Sequence, residues 1–322
     1  MPSNDLTLLD VEAHLFPSLK HLEYFPGFKL VKSKTAPKQS YASWGQADID
    51  ANYLMKLMEQ HGVDYSCVLP EKFLSTTDGH IPWSTNGYIV EQVAKFPDRL
   101  IAQANVGPVL RLGVEEPCWE LEYLVKEKGF KLVKVYQPED IGPLNDPRMW
   151  PFYEKVSQLK VAMTIHTGMS FVPGQFSKYC HPLQIEEIAT SFPEIPIIAF
   201  HVGYPYVEET AWLSANYKNV YVGTSYILGS RWLSSAPRES GKILGKVRMF
   251  ATADKLVWGT DFSGNAEEYA ESTNFVRNFQ IPENVQQDYG YEPITEEERR
   301  KWAGENLARI LGLRIEKKAG KR

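Results

Sequence analysis

The chain of 322 residues has only three cysteines, Cys67, Cys118 and Cys180. An odd number at wide spacing suits neither a disulfide framework nor a C-x-x-C metal site, so they read as structural thiols. No apolar stretch approaches the roughly 18 residues of a membrane span, and the start MPSNDLTLLD lacks the basic and apolar regions of a signal peptide. The expectation is a cytoplasmic protein with no membrane partner. An excess of one charge is missing too. The 35 Lys+Arg and 40 Asp+Glu leave a net charge of −5, which gives no sequence-independent pull toward nucleic acid. No G-x-G-x-x-G follows any apolar run, which counts against a dinucleotide-binding open sheet. Repeats, low-complexity segments and Pro/Gly/Ser linkers are absent, so nothing divides residues 1–322 into separate domains.

What is present is a globular composition, 43% hydrophobic and 23% charged, with short apolar runs alternating with amphipathic stretches. Eight runs read as strands: Leu6 to His14, Tyr65 to Pro70, Leu100 to Pro108, Phe130 to Tyr136, Ala162 to Gly168, Ile195 to Gly203, Val220 to Tyr226 and Lys255 to Phe262. Runs as apolar as Ile195 to Phe200 imply strands buried on both faces, as in a parallel sheet covered by helices. Helical signals lie between them. Asp48 to His61 carries Leu54, Leu57 and Met58 on one face with Gly62 as a stop, and Asn86 is a candidate cap for a helix that Pro97 ends. His181-Pro182 opens another, and Thr295 with Glu298 has capping-box spacing before a closing helix that runs to Leu311. The basic end, Lys317 to Arg322, reads as a frayed tail. Eight strands with helices between them predict a single (β/α)8 TIM barrel with long loops on the catalytic face.

In such a barrel, polar residues at the strand ends converge although they are distant in sequence. The first strand ends Asp10-Val-Glu12-Ala-His14, the fifth Ile165-His166, the sixth Phe200-His201 and the eighth Gly259-Thr-Asp261. Three of only 7 histidines stand at these ends, with the carboxylates Glu12 and Asp261 beside them. Glu12 and His14, two apart on a strand, share a side. Mixed imidazole and carboxylate donors suit a divalent ion such as zinc or manganese, which could polarise a substrate oxygen or activate water. Each residue also has a plainer reading. A histidine at a strand end is often only hydrogen-bonded, and Asp261 could cap a turn.

Together with Phe96-Pro-Asp-Arg99, Gly129-Phe-Lys-Leu-Val-Lys134, Asp146-Pro-Arg-Met-Trp150, His181-Pro, Phe192-Pro and Glu305-Asn-Leu-Ala-Arg-Ile-Leu311, these strand ends form an ordered set covering nearly the whole chain. The set resembles the amidohydrolase-related metal-dependent enzymes of the group that includes aminocarboxymuconate semialdehyde decarboxylase and γ-resorcylate decarboxylase. The resemblance implies one metal held by Glu12, His14, His166 and Asp261, with His201 polarising substrate or shuttling a proton. Many members begin H-x-H, and the Glu-x-His of this chain looks most like the aromatic-acid decarboxylases. The stretch His201-Val-Gly-Tyr-Pro205 looks more like hydrolase members.

Some relatives carry a carboxylated lysine near Lys134 that bridges two metals. Read by itself, Lys134 is a lysine snorkelling to the mouth or a cation for a substrate carboxylate. No arginine precedes Arg99, so the early arginine that some decarboxylases use is missing, and Arg231 or Arg238 could replace it. The stretch Leu15 to Ala47, with His21, Tyr24, Phe25, Phe28 and Trp44, reads as a lid with aromatic walls or as a surface insertion. The loop Glu71 to Asn86 adds His80 and Trp83, with His80 read as a surface residue.

The leading expectation is a metal-dependent decarboxylase of an aromatic or unsaturated carboxylic acid, with Asp261 or His201 supplying the proton that replaces CO₂. A hydrolase of an ester, lactone, amide or C–C bond on the same site is the second, and a non-catalytic barrel the third. The partner is a small-molecule carboxylic acid or carbonyl compound. Because relatives are often dimers, the resemblance also implies a homodimer.

Overall fold

The computed structural model describes residues 6–17, 48–70, 72–75, 79–82, 84–140, 142–170, 176–229, 233 and 235–320, with the backbone alone at 72–75 and 79–82. Eight strands lie inside the eight predicted runs: β1 Leu9–His14, β2 Tyr65–Leu69, β3 Leu100–Asn105, β4 Leu132–Val135, β5 Ala162–Ile165, β6 Ile197–Ala199, β7 Val220–Gly223 and β8 Leu256–Val257. They form one parallel sheet in chain order. Beyond β8 the chain returns to β1. Val11 N donates to Trp258 O (3.2 Å), His14 N donates to Phe262 O (2.7 Å), and Ala13 bridges Phe262. The sheet therefore closes into a (β/α)8 barrel.

The barrel helices are α1 Ala51–His61, α2 Asn86–Lys95, α3 Glu115–Lys128, α4 Trp150–Leu159, α5 Ile185–Ser191, α6 Val207–Asn216, α7 Pro237–Ala251 and α8 Ala266–Asn278. The outward residues of the strands and the apolar faces of the helices build one continuous core, with Ala13, Val68, Val133, Ile165 and Ile197 against Leu54, Ile89, Leu121, Phe152 and Ile188. A second cluster fills the barrel itself with Leu9, Val11, Cys67, Leu132, Ala162, Ile198 and Val257. Leu307 and Ala308 belong to this inner cluster, so the C-terminal segment stops the end of the barrel opposite the strand tips.

Several local details differ from the sequence reading. Thr85 is the cap of α2, its hydroxyl accepting from Tyr88 N. Asn86 turns inward instead, accepting from Asn105 N (3.0 Å) and donating to Asn105 O (2.9 Å), which ties α2 to the tip of β3. The loop after β2 contains an antiparallel ribbon, Lys72–Ser75 with Gly79–Pro82. The closing helix does begin at the Thr295–Glu298 capping box, but it passes through a π-helical turn, Lys301–Glu305. Trp302 lies in that turn and donates to Thr224 Oγ1 (2.9 Å).

The basic end is not frayed where it is described. Asp64, fully buried, accepts from Leu8 N (2.9 Å), Lys318 N (2.6 Å) and Ala319 N (2.8 Å), and Lys317 Nζ lies 3.3 Å away. One buried carboxylate thus fastens the tail beside β1. Among the described residues, no helix is long and apolar enough to cross a membrane. Replacing Asp64 by Ala strands three amides, and the expected loss is about 3 kcal/mol in urea unfolding with faster proteolysis near residue 317. An unchanged midpoint would mean the tail adds nothing to stability.

Candidate active site

Alternation alone does not carry β1 to the barrel mouth. Leu9 and Val11 pack in the inner cluster, yet Glu12 also reaches across the barrel, where Lys134 Nζ of β4 lies 2.7 Å from its Oε1. Two consecutive residues can share the interior because the β1–β2 register shifts between Asp10 and Ala13. The amide of Glu12 finds its acceptor in Asp10 Oδ1 (3.0 Å). Beyond the shift, the two-residue spacing brings His14 to the same side, as expected. His14 Nε2 lies 3.6 Å from Glu12 Oε1 and 3.1 Å from Asp261 Oδ1.

Glu12 is completely buried, and both of its oxygens are held. Lys134 grips Oε1, and Ser225, just past β7, donates its hydroxyl to Oε2 at 2.6 Å. Burial opposes the charge, but Lys134, His201 and His14 together keep this carboxyl well below its usual range. Glu12 is therefore a carboxylate with a fixed orientation. Lys134 is itself buried, so the snorkelling expected from sequence is not observed.

The two histidines beyond β5 and β6 form a directed chain. His201 Nδ1 faces Ser225 O at 3.2 Å, and the Ser225 hydroxyl proton is committed to Glu12, so Nδ1 of His201 carries the hydrogen. In neutral His201, Nε2 is then an acceptor. Its partner is His166 Nδ1 at 2.9 Å, which must donate. The lone pair of His166 consequently sits on Nε2, a buried atom with no hydrogen-bond partner among the described residues. Burial, with His201 and Lys134 nearby, holds His166 well below the usual histidine range, so it is neutral at pH 7. A neutral imidazole with a free lone pair is the form a metal ion requires.

The backbone around the site is strained. His201 (φ 60°), Val202 (φ 56°), Tyr226 (φ 63°) and Asp261 (φ 53°) are left-handed without being glycine, and each costs on the order of 1–3 kcal/mol. Neighbouring loops hold them in place. At Gly168 (φ 86°) a Cβ would lie 2.2 Å from Tyr204 O, so only glycine lets the loop after His166 press against the loop after His201.

Of the residues singled out by sequence, Glu12, His14, Lys134, His166, His201 and Asp261 gather at one mouth. One donor atom each from Glu12, His201 and Asp261 lies within 4.8 Å of the others, a spacing that a single cation can bridge. Arg238 is exposed at the start of α7, and Asp288 lies 3.6 Å from it. Arg231, Trp83 and residues 18–47 of the expected lid lie outside the described residues, as do the side chains of the ribbon that includes His80. Sequence reasoning missed Ser225, although Tyr221, Gly223 and Ser225 are spaced two apart along the seventh strand. It also passed over Asp10 and Thr260, whose neighbours drew the attention.

A parallel (β/α)8 barrel with histidines and carboxylates gathered at its mouth defines a TIM-barrel enzyme. Residues 9–313 match the family described as Amidohydrolase, and the chain belongs to that family. Among solved structures, 2,6-dihydroxybenzoate decarboxylase from Rhizobium superposes with a TM-score of 0.64 at 18% identity, covering 95% of this chain and 99% of that one. A dihydroxybenzoic acid decarboxylase from Polaromonas sp. JS666, with bound manganese and the inhibitor 2-nitroresorcinol, gives 0.62 at 18% identity, covering 95% and 97%. The probable 2-pyrone-4,6-dicarboxylic acid hydrolase of Acinetobacter baumannii, with citric acid bound, gives 0.62 at 15%, covering 96% and 100%. At these identities the likeness establishes the fold. Protein fluG of Emericella nidulans is 27% identical over 127 residues, or 37% of this chain, and the match spans 14% of that relative's length.

The Glu12–Lys134 pair makes a test possible without substrate. Lys134→Met leaves a buried carboxylate without its counter-ion and should cost about 3–5 kcal/mol in urea unfolding of metal-free protein. Adding Glu12→Gln to that variant should recover part of the loss. Equal stability of the single variant and the wild type would show that the pair contributes no net stabilisation.

Proposed function

We propose that this chain is a metal-dependent, non-oxidative decarboxylase of an aromatic or unsaturated carboxylic acid. The observation that carries the reading is the buried, doubly held Glu12 carboxylate beside His14 and Asp261, at the position where an H-x-H opening would place imidazole. Glu12, His14, His166 and Asp261 are the residues that would hold one divalent ion. The orphaned Nε2 of His166 and the ionised state of Glu12 both fit it. The ion would supply Lewis acidity toward a substrate carboxylate and a neighbouring oxygen. Two carboxylates and two imidazoles suit either zinc or manganese, and the manganese in the Polaromonas decarboxylase favours manganese.

The remaining chemistry belongs to side chains. As the bond to the carboxylate breaks, its electron pair stays on the ring carbon and CO₂ leaves. A proton from the Asp261 carboxyl, or from Nε2 of a His201 that has first taken one up, then replaces it. His201 is suited to this because Ser225 O holds its Nδ1–H, so that a proton taken up or given back would pass through Nε2, in place of the bond it accepts from His166 Nδ1. Lys134 balances the charge of Glu12, so that the pair adds no net negative charge to a site that receives an anionic substrate. Arg231 and Arg238 are the further candidates for gripping the substrate carboxylate.

A hydrolase is the second reading, favoured by the place of His201 in the close group with Glu12 and Asp261. There Asp261 would act as base toward water and His201 would polarise the carbonyl. The test is metal content and product analysis of three proteins on dihydroxybenzoates. Wild type should carry one ion per chain and release CO₂. His166→Ala should lose metal and turnover together, whereas His201→Asn should keep the metal and lose at least about 100-fold in kcat. Activity in metal-free His166→Ala would defeat the metal mechanism. Metal loss in His201→Asn, with incorporation of solvent oxygen into product, would favour the hydrolase.

A further inference from the structure

The barrel closes between its first and last strands, and this seam must present Glu12 and His14 from one side and Asp261 from the other. Both sides leave regular strand geometry to do so. β1 shifts register between Asp10 and Ala13, and Asp261 adopts φ 53°. Such departures free amides that a regular ladder would have engaged. Here two side chains take them. Asp10 Oδ1 accepts from Glu12 N (3.0 Å) and from Thr260 N (2.9 Å), and Thr260 Oγ1 accepts from Phe262 N (3.1 Å). The two side chains also bind each other, Thr260 Oγ1 lying 2.7 Å from Asp10 Oδ2. The same hydroxyl lies 3.1 Å from the carbonyl of Glu12. Ser66 Oγ completes the set at 3.4 Å from Asp10 Oδ2. Asp10 is wholly buried and Thr260 nearly so, so water does not compete for these bonds.

We propose that Asp10 and Thr260 are positioning residues that lock the seam and set the separation between the Glu12–His14 pair and Asp261. This rests on the metal-site reading above. The clamp works through main chain, since it binds the amide and carbonyl of Glu12 and the amides on either side of Asp261. A rigid seam fixes donor atoms in advance, and loss of such support typically costs 10–100-fold in metal affinity. Asp10 acts as an acceptor of amides, and an asparagine can do the same. Its Oδ1 would keep the bonds from Glu12 N and Thr260 N, and its Nδ2 would donate to Thr260 Oγ1.

The test uses full-length protein stripped of metal, with manganese alone as the titrant and hydrogen exchange as a readout that needs no metal. Thr260→Val removes the hydroxyl at nearly constant volume. It should fold, weaken manganese binding 10–100-fold, and speed exchange of the Phe262 amide at least about tenfold while His14 N, bonded to Phe262 O, stays protected. Thr260→Ser and Asp10→Asn should both stay within about threefold of wild type in affinity and exchange. Asp10→Ala should expose the Glu12 and Thr260 amides together. Unchanged exchange at Phe262 in Thr260→Val would overturn the clamp, as would equal weakening by Val and Ser. If the wild type binds no manganese or zinc, the metal reading fails, and the exchange data still decide whether the seam is locked by these two residues.

Discussion

The site depends on one buried charge. Glu12 has no contact with water, and a carboxylate in that position would cost several kcal/mol if left alone. Lys134 of β4 and Ser225, just past β7, reach in to satisfy it, one oxygen each. The requirement shapes its surroundings. Because the Ser225 hydroxyl proton is committed to Glu12, both Ser225 oxygens face His201 Nδ1 only as acceptors, so Nδ1 carries the hydrogen, and that choice determines which nitrogen of His166 is left bare. The charge state of the first strand thus dictates the tautomers of the fifth and sixth.

Four of the left-handed residues gather at the candidate site. The left-handed residues His201, Val202, Tyr226 and Asp261 all lie just beyond strand tips, where a regular continuation would aim side chains elsewhere. What tolerates them is close contact between neighbouring segments, such as Gly168 against Tyr204 and Gly203 against Thr210 of α6. At the other end of the barrel the left-handed residues are Lys160 and Thr252, which end α4 and α7 ahead of β5 and β8. There the inner cluster is closed by Leu307 and Ala308, and Asn306 donates to Ala253 O and Leu256 O at 2.8 Å each. Stability and function occupy opposite ends, as barrel geometry allows.

This division explains the family-like motifs. Arg99 of Phe96-Pro-Asp-Arg99 binds the carbonyls of Val63 and Asp64, and Asp146 caps a short helical turn through Arg148 N. Asn306 holds the chain entering β8. These residues build and fasten the barrel, and they touch none of the clustered histidines or carboxylates among the described contacts. They identify the family without bearing on what this chain turns over. The residues that bear on chemistry are few, and some were hidden. Ser225, Asp10 and Thr260 are ordinary strand residues in sequence, and their importance follows from partners 24 to 250 positions away.

The sequence by itself determined the barrel, because eight apolar runs separated by amphipathic helices have few ways to bury both faces of every strand. It also determined which side chains would stand at the strand tips, since parallel strands all end at one face. What it could not determine were details set by contact at atomic range. The register shift that turns Glu12 inward right after Val11 belongs to this class, as do the burial of Lys134 against Glu12 and the tethering of the tail by Asp64. Periodicity is a property of one segment. The direction of a proton and the partner of a buried charge depend on several segments at once, and only the closed barrel brings those together.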